Sequence, residues 1–280
     1  MTTFNRDCLS ILEDAEGRVS LLVVSSDEDR ESFRSDILCY DDFTAEPRTV
    51  LAEDVWLSWM WKSAGGRHFA CEILGSVYWE TGRGFQREKL SEHQLFRIWG
   101  LSDSAVFAVG AAGRCFGFDG SRWVDMSTGL RGYVHALHGV APDRLVCAGD
   151  SGFVAFWDGA GWTPVELGVG FDFRSAYMLG ADDTLLCGLG GACARLRGET
   201  LEVIEGTTAS LYAIARFRGD IYLGSAEAGI FQLQGATLAP FKPKARGYDM
   251  SATGDRRLLT CGVNQAASFD GSGWKARTFA

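Results

Sequence analysis

Short apolar runs, each ended by a glycine or a polar turn, recur along the chain and predict β-strands rather than helices. Residues 106–109 end at Gly110, residues 145–148 end at Gly149, and the same arrangement returns before Gly188. Runs of this length fit a strand, whereas an amphipathic helix needs about ten or more residues with apolar positions three and four apart. The pattern therefore predicts an all-β protein.

A tight turn followed by tryptophan marks the period of this pattern. Aspartate and glycine stand four and three positions before Trp123, Trp162 and Trp274, and leucine or phenylalanine replaces the tryptophan in weaker copies. The marker residues lie 36 to 39 positions apart and are Phe85, Trp123, Trp162, Leu201, Leu238 and Trp274. One further step back falls near Glu46 or Pro47. The chain therefore contains six clear copies of an internal repeat and a seventh, weakest copy at its start.

Each copy is long enough for one four-stranded sheet. An Asp-Gly turn between two apolar runs is a strong hairpin signal, because the turn needs positive φ angles that these residues tolerate. Such a sheet cannot bury both of its faces alone, but seven sheets arranged around an axis bury their facing sides. We therefore predict that residues 1–280 form a single β-propeller domain of seven blades, each with four antiparallel strands; six blades are the alternative. The tryptophans after the turns are expected to pack between blades.

The glycine-bounded turn, the following strand and the Asp-Gly turn before tryptophan resemble the repeats of bacterial β-propellers of the WD40-like and sialidase-like (BNR or YVTN) groups. The resemblance covers essentially the whole chain and implies the fold without implying a specific function. The Asp-box of sialidase-type repeats has serine or threonine two positions before the aspartate. Ser268 matches this pattern, but Gly117 and Phe156 do not, so no sialidase activity is inferred.

The cysteines and histidines do not form a metal-binding pattern. The eight cysteines are scattered, with no CxxC pair and no nearby histidine cluster, so no metal and no other cofactor is predicted. Cys187 and Cys261 precede a glycine where another copy has Val109, and they are expected to be small core residues. His135 and His138 have odd spacing in one predicted strand, so they are expected to point to opposite faces and not to share a metal.

Recognisable catalytic motifs are missing as well. The sequence has no Gly-x-Ser-x-Gly motif, and the glycine-rich turns after Gly110 and Gly188 lack the Lys-Ser/Thr pair and the helix of a phosphate-binding loop. We predict a non-enzymatic protein. Two alternatives stay open: a carbohydrate-binding propeller, favoured by the repeated tryptophans, and an enzyme with its site in the central funnel.

Charge narrows the class of partner. The net charge is −9, and residues 1–94 carry 18 acidic and 10 basic side chains. An acidic surface repels a phosphate backbone and attracts basic surfaces, so we expect a basic protein partner and no nucleic acid. No apolar stretch is long enough to span a membrane, and the first residues are too charged for a secretory signal. The protein is therefore expected to be cytoplasmic.

A long charged loop, residues 25–35, interrupts the first copy and is expected on the same face as the links between copies. Trp56 lies in one such link and is expected to be more exposed than Trp59 and Trp61. Acidic and aromatic side chains on loops make a plausible protein-docking surface. The predicted partner-binding residues are Asp27, Glu28, Asp29, Glu31, Glu53, Asp54, Trp56, Glu92, Tyr133, Asp150, Phe171, Asp172 and Tyr248. The most specific hypothesis is a bacterial immunity protein that neutralises a basic toxin.

Overall fold

The computed structural model describes residues 5–27, 29 and 31–279 and arranges them as seven four-stranded antiparallel sheets in a ring. The prediction of a seven-bladed β-propeller is confirmed, and the alternative of six blades is wrong. Within the described residues, helical structure is confined to three short 3₁₀ turns, at residues 111–113, 150–152 and 189–191. None of the helices in this part of the chain is long and apolar enough to cross a membrane.

Each blade uses four consecutive strands. The strands of blades 1 to 3 are β1 (Asn5–Glu13), β2 (Val19–Ser26), β3 (Phe33–Tyr40), β4 (Arg48–Glu53), β5 (Leu57–Lys62), β6 (His68–Glu72), β7 (Ser76–Thr81), β8 (Gly84–Lys89), β9 (Leu95–Ser102), β10 (Ala105–Gly110), β11 (Cys115–Phe118) and β12 (Trp123–Asp125). Those of blades 4 and 5 are β13 (Val134–Ala141), β14 (Arg144–Gly149), β15 (Val154–Trp157), β16 (Trp162–Val165), β17 (Phe173–Gly180), β18 (Asp183–Gly188), β19 (Cys193–Arg197) and β20 (Thr200–Val203). Those of blades 6 and 7 are β21 (Ala213–Phe217), β22 (Asp220–Ser225), β23 (Gly229–Gln234), β24 (Thr237–Lys242), β25 (Asp249–Ala252), β26 (Leu258–Gly262), β27 (Gln265–Phe269) and β28 (Trp274–Thr278).

The first strand of each blade lies innermost, beside the central channel. These first strands contact one another around the ring, and β1 also packs against β25 and β26 to close it. Because every sheet is made of consecutive strands, the ring is closed by contacts between blades 1 and 7. These contacts include a hydrogen bond of 3.1 Å from the Asn264 N–H to the Arg6 carbonyl and one of 3.0 Å from the Thr253 hydroxyl to the Glu13 carbonyl.

The links between blades and the loops between second and third strands lie on one face of the ring, which we call the upper face. The described residues of the inserted loop, at positions 27, 29, 31 and 32, belong to this face, as predicted. The Phe33 ring after it lies 5.0 Å from the Trp56 ring in the link to blade 2, and the Ser35 hydroxyl donates to the Val55 carbonyl at 2.7 Å. The upper face therefore brings the inserted loop and the first link together.

Tryptophans after the Asp-Gly turns pack between neighbouring blades, as predicted. Trp123 lies in one buried cluster with Phe69 and Trp79 of blade 2, and Trp162 lies in another with Phe107 of blade 3. Trp274 is half-buried against residues of blade 6, including Phe217. All eight cysteines are buried and free, which confirms that they are core residues.

Glycines at the ends of second strands are needed because the backbone of the first strand comes very close. A Cβ on Gly149, whose φ of −163° is extended, would lie 1.9 Å from the Tyr133 carbonyl oxygen. We expect Gly149→Ala to destabilise the fold by about 1–3 kcal/mol through this overlap, measured as a lower denaturant midpoint. Gly161→Ala is the matched control, since no atom lies within 4 Å of its Cβ. An equal midpoint for the two variants would contradict the prediction.

Candidate functional site

One bulged residue in each of five first strands points into the central channel. The pairing of first with second strands shifts register at the positions of Leu9, Ser58, Phe96, His135 and Arg174. A bulge leaves one residue unpaired and redirects its side chain. Together with Tyr212 and Tyr248, which directly precede the first strands of blades 6 and 7, these residues line a cavity of about 200 Å³. We call this cavity the channel mouth.

The bulge at His135 overturns the expectation that His135 and His138 point to opposite faces. Their odd spacing would separate them only in a regular strand, whereas the extra residue changes the alternation. Both line the channel, at different depths: His135 is at the channel mouth and His138 is in a lower cavity of about 230 Å³. No group of metal-ligating side chains occurs among the described residues.

His138 is part of the wall of the lower cavity. Its ring lies 4.8 Å from the Trp99 ring and 4.4 Å from the Tyr177 ring, and its Nδ1 accepts the Met178 N–H at 3.1 Å. Burial, and secondarily the charge of Arg97, lowers the pKa of His138 to about 4. The imidazole is therefore neutral at pH 7 and helps to hold blade 4 against blade 5.

Arg174, which lines the channel mouth, is paired with an acidic side chain. The Arg174 Nη1 donates to the Asp150 carboxylate at 2.7 Å and to the Phe173 carbonyl at 3.0 Å. The same carboxylate oxygen lies 3.2 Å from the His135 Nε2, and the Phe96 ring stacks on His135 at 4.7 Å. Burial and the neighbouring Arg174 lower the pKa of His135, against the opposing effect of Asp150. This side of the mouth is close to electrically neutral.

Arg97 lies one residue deeper than the ring of bulged residues. Its guanidinium carbon is 3.7 Å from the centre of the Trp59 ring, and both side chains line the channel mouth as well as the lower cavity. Burial lowers the pKa of Arg97, and the charge of Asp249 opposes this shift. Among the described residues, Arg97 has neither a hydrogen bond nor an acidic oxygen within 4.0 Å. Arg97 and Trp59 thus lie between the channel mouth and the lower cavity and place a cation there.

Asp249, at the start of the first strand of blade 7, carries a buried carboxyl group that lines the lower cavity. Its Oδ2 accepts the Ile11 N–H at 3.0 Å, as the Ser10 hydroxyl oxygen accepts the Met60 N–H at 3.1 Å. These side chains satisfy N–H groups on the channel edge of a neighbouring first strand, which has no strand partner on that side. Burial raises the pKa of Asp249 to about 6, although Arg97 and backbone N–H groups favour the ionised form.

A groove on the upper face between blades 1 and 2 continues outward from the channel mouth. It has a volume of about 690 Å³, and Trp56 and Ile73 line both the groove and the mouth. Trp56 is 37% exposed and Leu74 is 62% exposed, whereas Trp59 and Trp61 are buried. The prediction that Trp56 is the most exposed of these three tryptophans is confirmed. We call this feature, lined by Phe33, Trp56, Ile73 and Leu74 together with the acids Glu31 and Asp54, the rim groove.

The predicted partner-binding residues divide into two groups and a few isolated positions. Trp56, Tyr133, Asp150 and Tyr248 lie at or beside the channel mouth, because they line it or contact His135. The residues on the blade 1 side of the upper face are Asp27, Asp29, Glu31, Glu53 and Asp54. The residues in the links further around the ring are Glu92, Phe171 and Asp172. Glu28 lies outside the described residues.

Several of the predicted acids have partners within the protein. Asp27 accepts the Glu31 N–H at 2.8 Å and so shapes its own loop, Asp54 lies 3.3 Å from Arg34, and Asp172 accepts the Ser151 N–H at 2.9 Å. Asp29 and Glu31 are exposed. The free negative charge of the blade 1 rim is therefore smaller than a count of its acids suggests.

Residues that the sequence did not single out complete the channel mouth: Phe96, Arg97, Arg174 and Tyr212, with Trp59 beneath them. Their signal was present in the repeat, since Phe96, His135, Arg174 and Tyr212 recur 39, 39 and 38 positions apart. The side chains differ in type, so only the register of the strands shows that the positions are equivalent.

The sequence matches no protein-family model and no curated protein. Its structure is similar to those of known β-propellers. The WD40 β-propeller domain of Doa1 has a TM-score of 0.72 and 11% identity over 94% of this chain and 92% of that one. YCF48 from Cyanidioschyzon merolae has a TM-score of 0.67 and 11% identity over 99% and 96%. YCF48 bound to D1 peptide has a TM-score of 0.63 and 13% identity over 90% and 89%. At these identities the likeness shows the fold.

Proposed function

We propose that the protein binds a protein partner across its upper face and that a segment of this partner lies in the rim groove. The observation that carries the proposal is the exposed Trp56, which forms a wall of both the rim groove and the channel mouth. An exposed tryptophan beside exposed Leu74 is the kind of anchor that supplies most of the binding energy in protein interfaces. The two cavities together can hold an extended segment.

The charges at the rim groove favour a basic partner. Three acids, Glu31, Asp54 and Glu72, line the groove against one cation, Arg34, which pairs with Asp54. Asp29 is exposed in the adjoining loop. Acidic side chains at the edge of an apolar anchor speed association with a basic segment and exclude acidic competitors. A similar propeller, YCF48, has been solved bound to D1 peptide, so this architecture is able to hold a peptide. We propose binding without catalysis, by a cytoplasmic protein.

The repeated tryptophans no longer favour carbohydrate binding. Trp123 and Trp162 are 9% and 6% exposed and lie between blades, so their faces are not presented to a sugar.

In a bacterial host, the more specific form of the proposal is that the protein neutralises a toxin. It is tested by coexpressing the protein with the product of the adjacent gene, which should be toxic alone and harmless in the complex.

Replacing Trp56 with alanine is expected to weaken binding of the partner at least about tenfold, because truncation removes the shared wall of both cavities. The partner is obtained by capture on the tagged protein from the native host, and its affinity is then measured by calorimetry. Val124→Ala, an exposed apolar residue on the outer strand of blade 3, is the control and should leave affinity unchanged.

Charge reversal tests whether the acids at the rim groove contact the partner or act only through the net charge of the protein. Asp29→Lys with Glu31→Lys should slow association and reduce the dependence of affinity on salt. Glu88→Lys with Glu199→Lys changes the net charge equally at exposed positions elsewhere. Equal effects of the two double variants, or a complex that tolerates Trp56→Ala, would remove the rim groove as the docking site.

A further inference from the structure

We propose that the channel mouth binds the free C-terminal carboxylate of the partner segment and that Arg97 is the residue that receives it. This inference rests on the proposed docking function and assigns the direction of the bound segment. The segment would end at Arg97, with its upstream residues passing Trp56 and lying in the rim groove.

The main evidence is that Arg97 is a cation lining the channel that forms no hydrogen bond or ion pair with any described residue of the protein. A guanidinium has five N–H donors, and Arg97, which is partly exposed, uses none of them within the described part of the protein. Arg174 at the same mouth is paired with Asp150 at 2.7 Å, and Arg195 in blade 5 is paired with Asp183 at 2.7 Å. The guanidinium of Arg97 instead lies over the face of the Trp59 ring. Its donors are therefore available to an incoming acceptor.

Asp249 does not fill this role. Its Oδ2 is held by the Ile11 N–H at 3.0 Å, and neither carboxylate oxygen comes within 4.0 Å of the guanidinium. Asp249 instead moderates the positive potential in the channel from a distance. Because Asp249 already offsets part of the positive charge of Arg97, a carboxylate monoanion meets less repulsion in the channel than a phosphate dianion.

The shape of the site also fits the end of a chain. A carboxylate matches the planar fork of a guanidinium with two parallel hydrogen bonds. The walls above Arg97 are the rings of Phe96, Tyr212 and Tyr248, which suit an apolar terminal side chain in a cavity of about 200 Å³. Below, Arg97 and Trp59 lie where the channel mouth meets the lower cavity, because they line both, so we expect a segment that enters from the upper face to end there.

The test uses two random heptapeptide libraries of identical composition, one with free C-terminal carboxylates and the other with C-terminal carboxamides. Each is passed over the immobilised full chain, and retained peptides are quantified by mass spectrometry. We expect at least tenfold greater retention from the carboxylate library. Arg97→Gln should abolish this preference, and Arg97→Lys should keep part of it because the charge remains without the planar fork. Arg122→Gln, an exposed arginine in a lower-face turn, should behave as the unaltered protein.

The outcomes separate this inference from the docking proposal. Equal retention of both libraries, with loss of both in Trp56→Ala, would overturn the carboxylate site and leave the rim groove as a docking site. Retention unaffected by Trp56→Ala but dependent on Arg97 and on the carboxylate would support the site and contradict the rim groove. Displacement of retained peptides by inorganic phosphate, with no preference for the carboxylate library, would instead identify a phosphate site and overturn the inference. Retention of neither library would overturn both proposals.

Discussion

Glu13→Gln is expected to lower the free energy of unfolding by about 3 kcal/mol, because it breaks a buried ion pair where the ring closes. The Glu13 side chain is fully buried at the end of β1, and its Oε1 accepts hydrogen bonds from the Arg257 Nε at 2.7 Å and the Arg256 Nη1 at 3.2 Å. Both arginines belong to the loop between β25 and β26 of blade 7. Glutamine keeps the shape but loses the charge and presents an amide donor near two cations.

The expected loss is at the lower end for a buried pair, because Arg256 remains 45% exposed and can be solvated. The measurement is the urea midpoint and slope of unfolding. Glu16→Gln is the matched control: Glu16 lies 3.0 Å from Arg18 but is 60% exposed, and an exposed pair contributes about 0–1 kcal/mol. If both substitutions cost less than about 1 kcal/mol, the Glu13 contacts do not hold blades 1 and 7 together.

Asp249→Asn is expected, in contrast, to raise the free energy of unfolding at pH 7 by up to about 3 kcal/mol. Burial raises the pKa of Asp249 from 3.8 to about 6 in the folded protein. Between these values the folded state binds more protons than the unfolded state, so stability falls as the pH rises from about 4 to about 6. Asparagine removes the charge and keeps an oxygen that can accept the Ile11 N–H.

The measurement is the difference in the free energy of unfolding between Asp249→Asn and the unaltered protein at several pH values. This difference reports the titration of Asp249 alone, because the other carboxylates titrate in both proteins. The difference should be near zero at pH 4, where Asp249 is protonated, and should reach its full value above pH 6. Asp14 supplies a contrast: hydrogen bonds from Lys62 and Arg18 outweigh its burial and lower its pKa to about 2, so its stabilising contribution is lost as the pH falls towards 2. A difference for Asp249→Asn that is the same at pH 4 and pH 7 would contradict the prediction.

The local pattern of residues along the sequence was sufficient to predict much of the fold. The spacing of the Asp-Gly turns and their tryptophans predicted four strands per copy and seven copies, and the same short-range signals placed Trp123 and Trp162 between blades. The position of the inserted loop on the face that carries the links followed from counting strands, because each hairpin reverses the chain and returns it to a known face. These features depend on residues close together in sequence.

Only some residues of the candidate site could be predicted from local sequence pattern. Trp56, Tyr133, Asp150 and Tyr248 were expected on the upper face because they lie in loops or links, and they are found at or beside the channel mouth. Arg97 was not expected there, since an arginine inside an apolar strand carries no local sign that it faces a channel.

The sequence by itself therefore determined the repeat, the strand order and the upper face, because hairpin turns and alternation act over a few residues. The tertiary structure alone decided what lies in the channel. A bulge turned His135 inward with His138, and the closing of the ring brought Asp249 of blade 7 to Ile11 of blade 1. The position of Arg97 on Trp59 likewise depends on the packing of neighbouring blades. Such contacts come from the mutual packing of seven first strands, which no single stretch of the chain encodes.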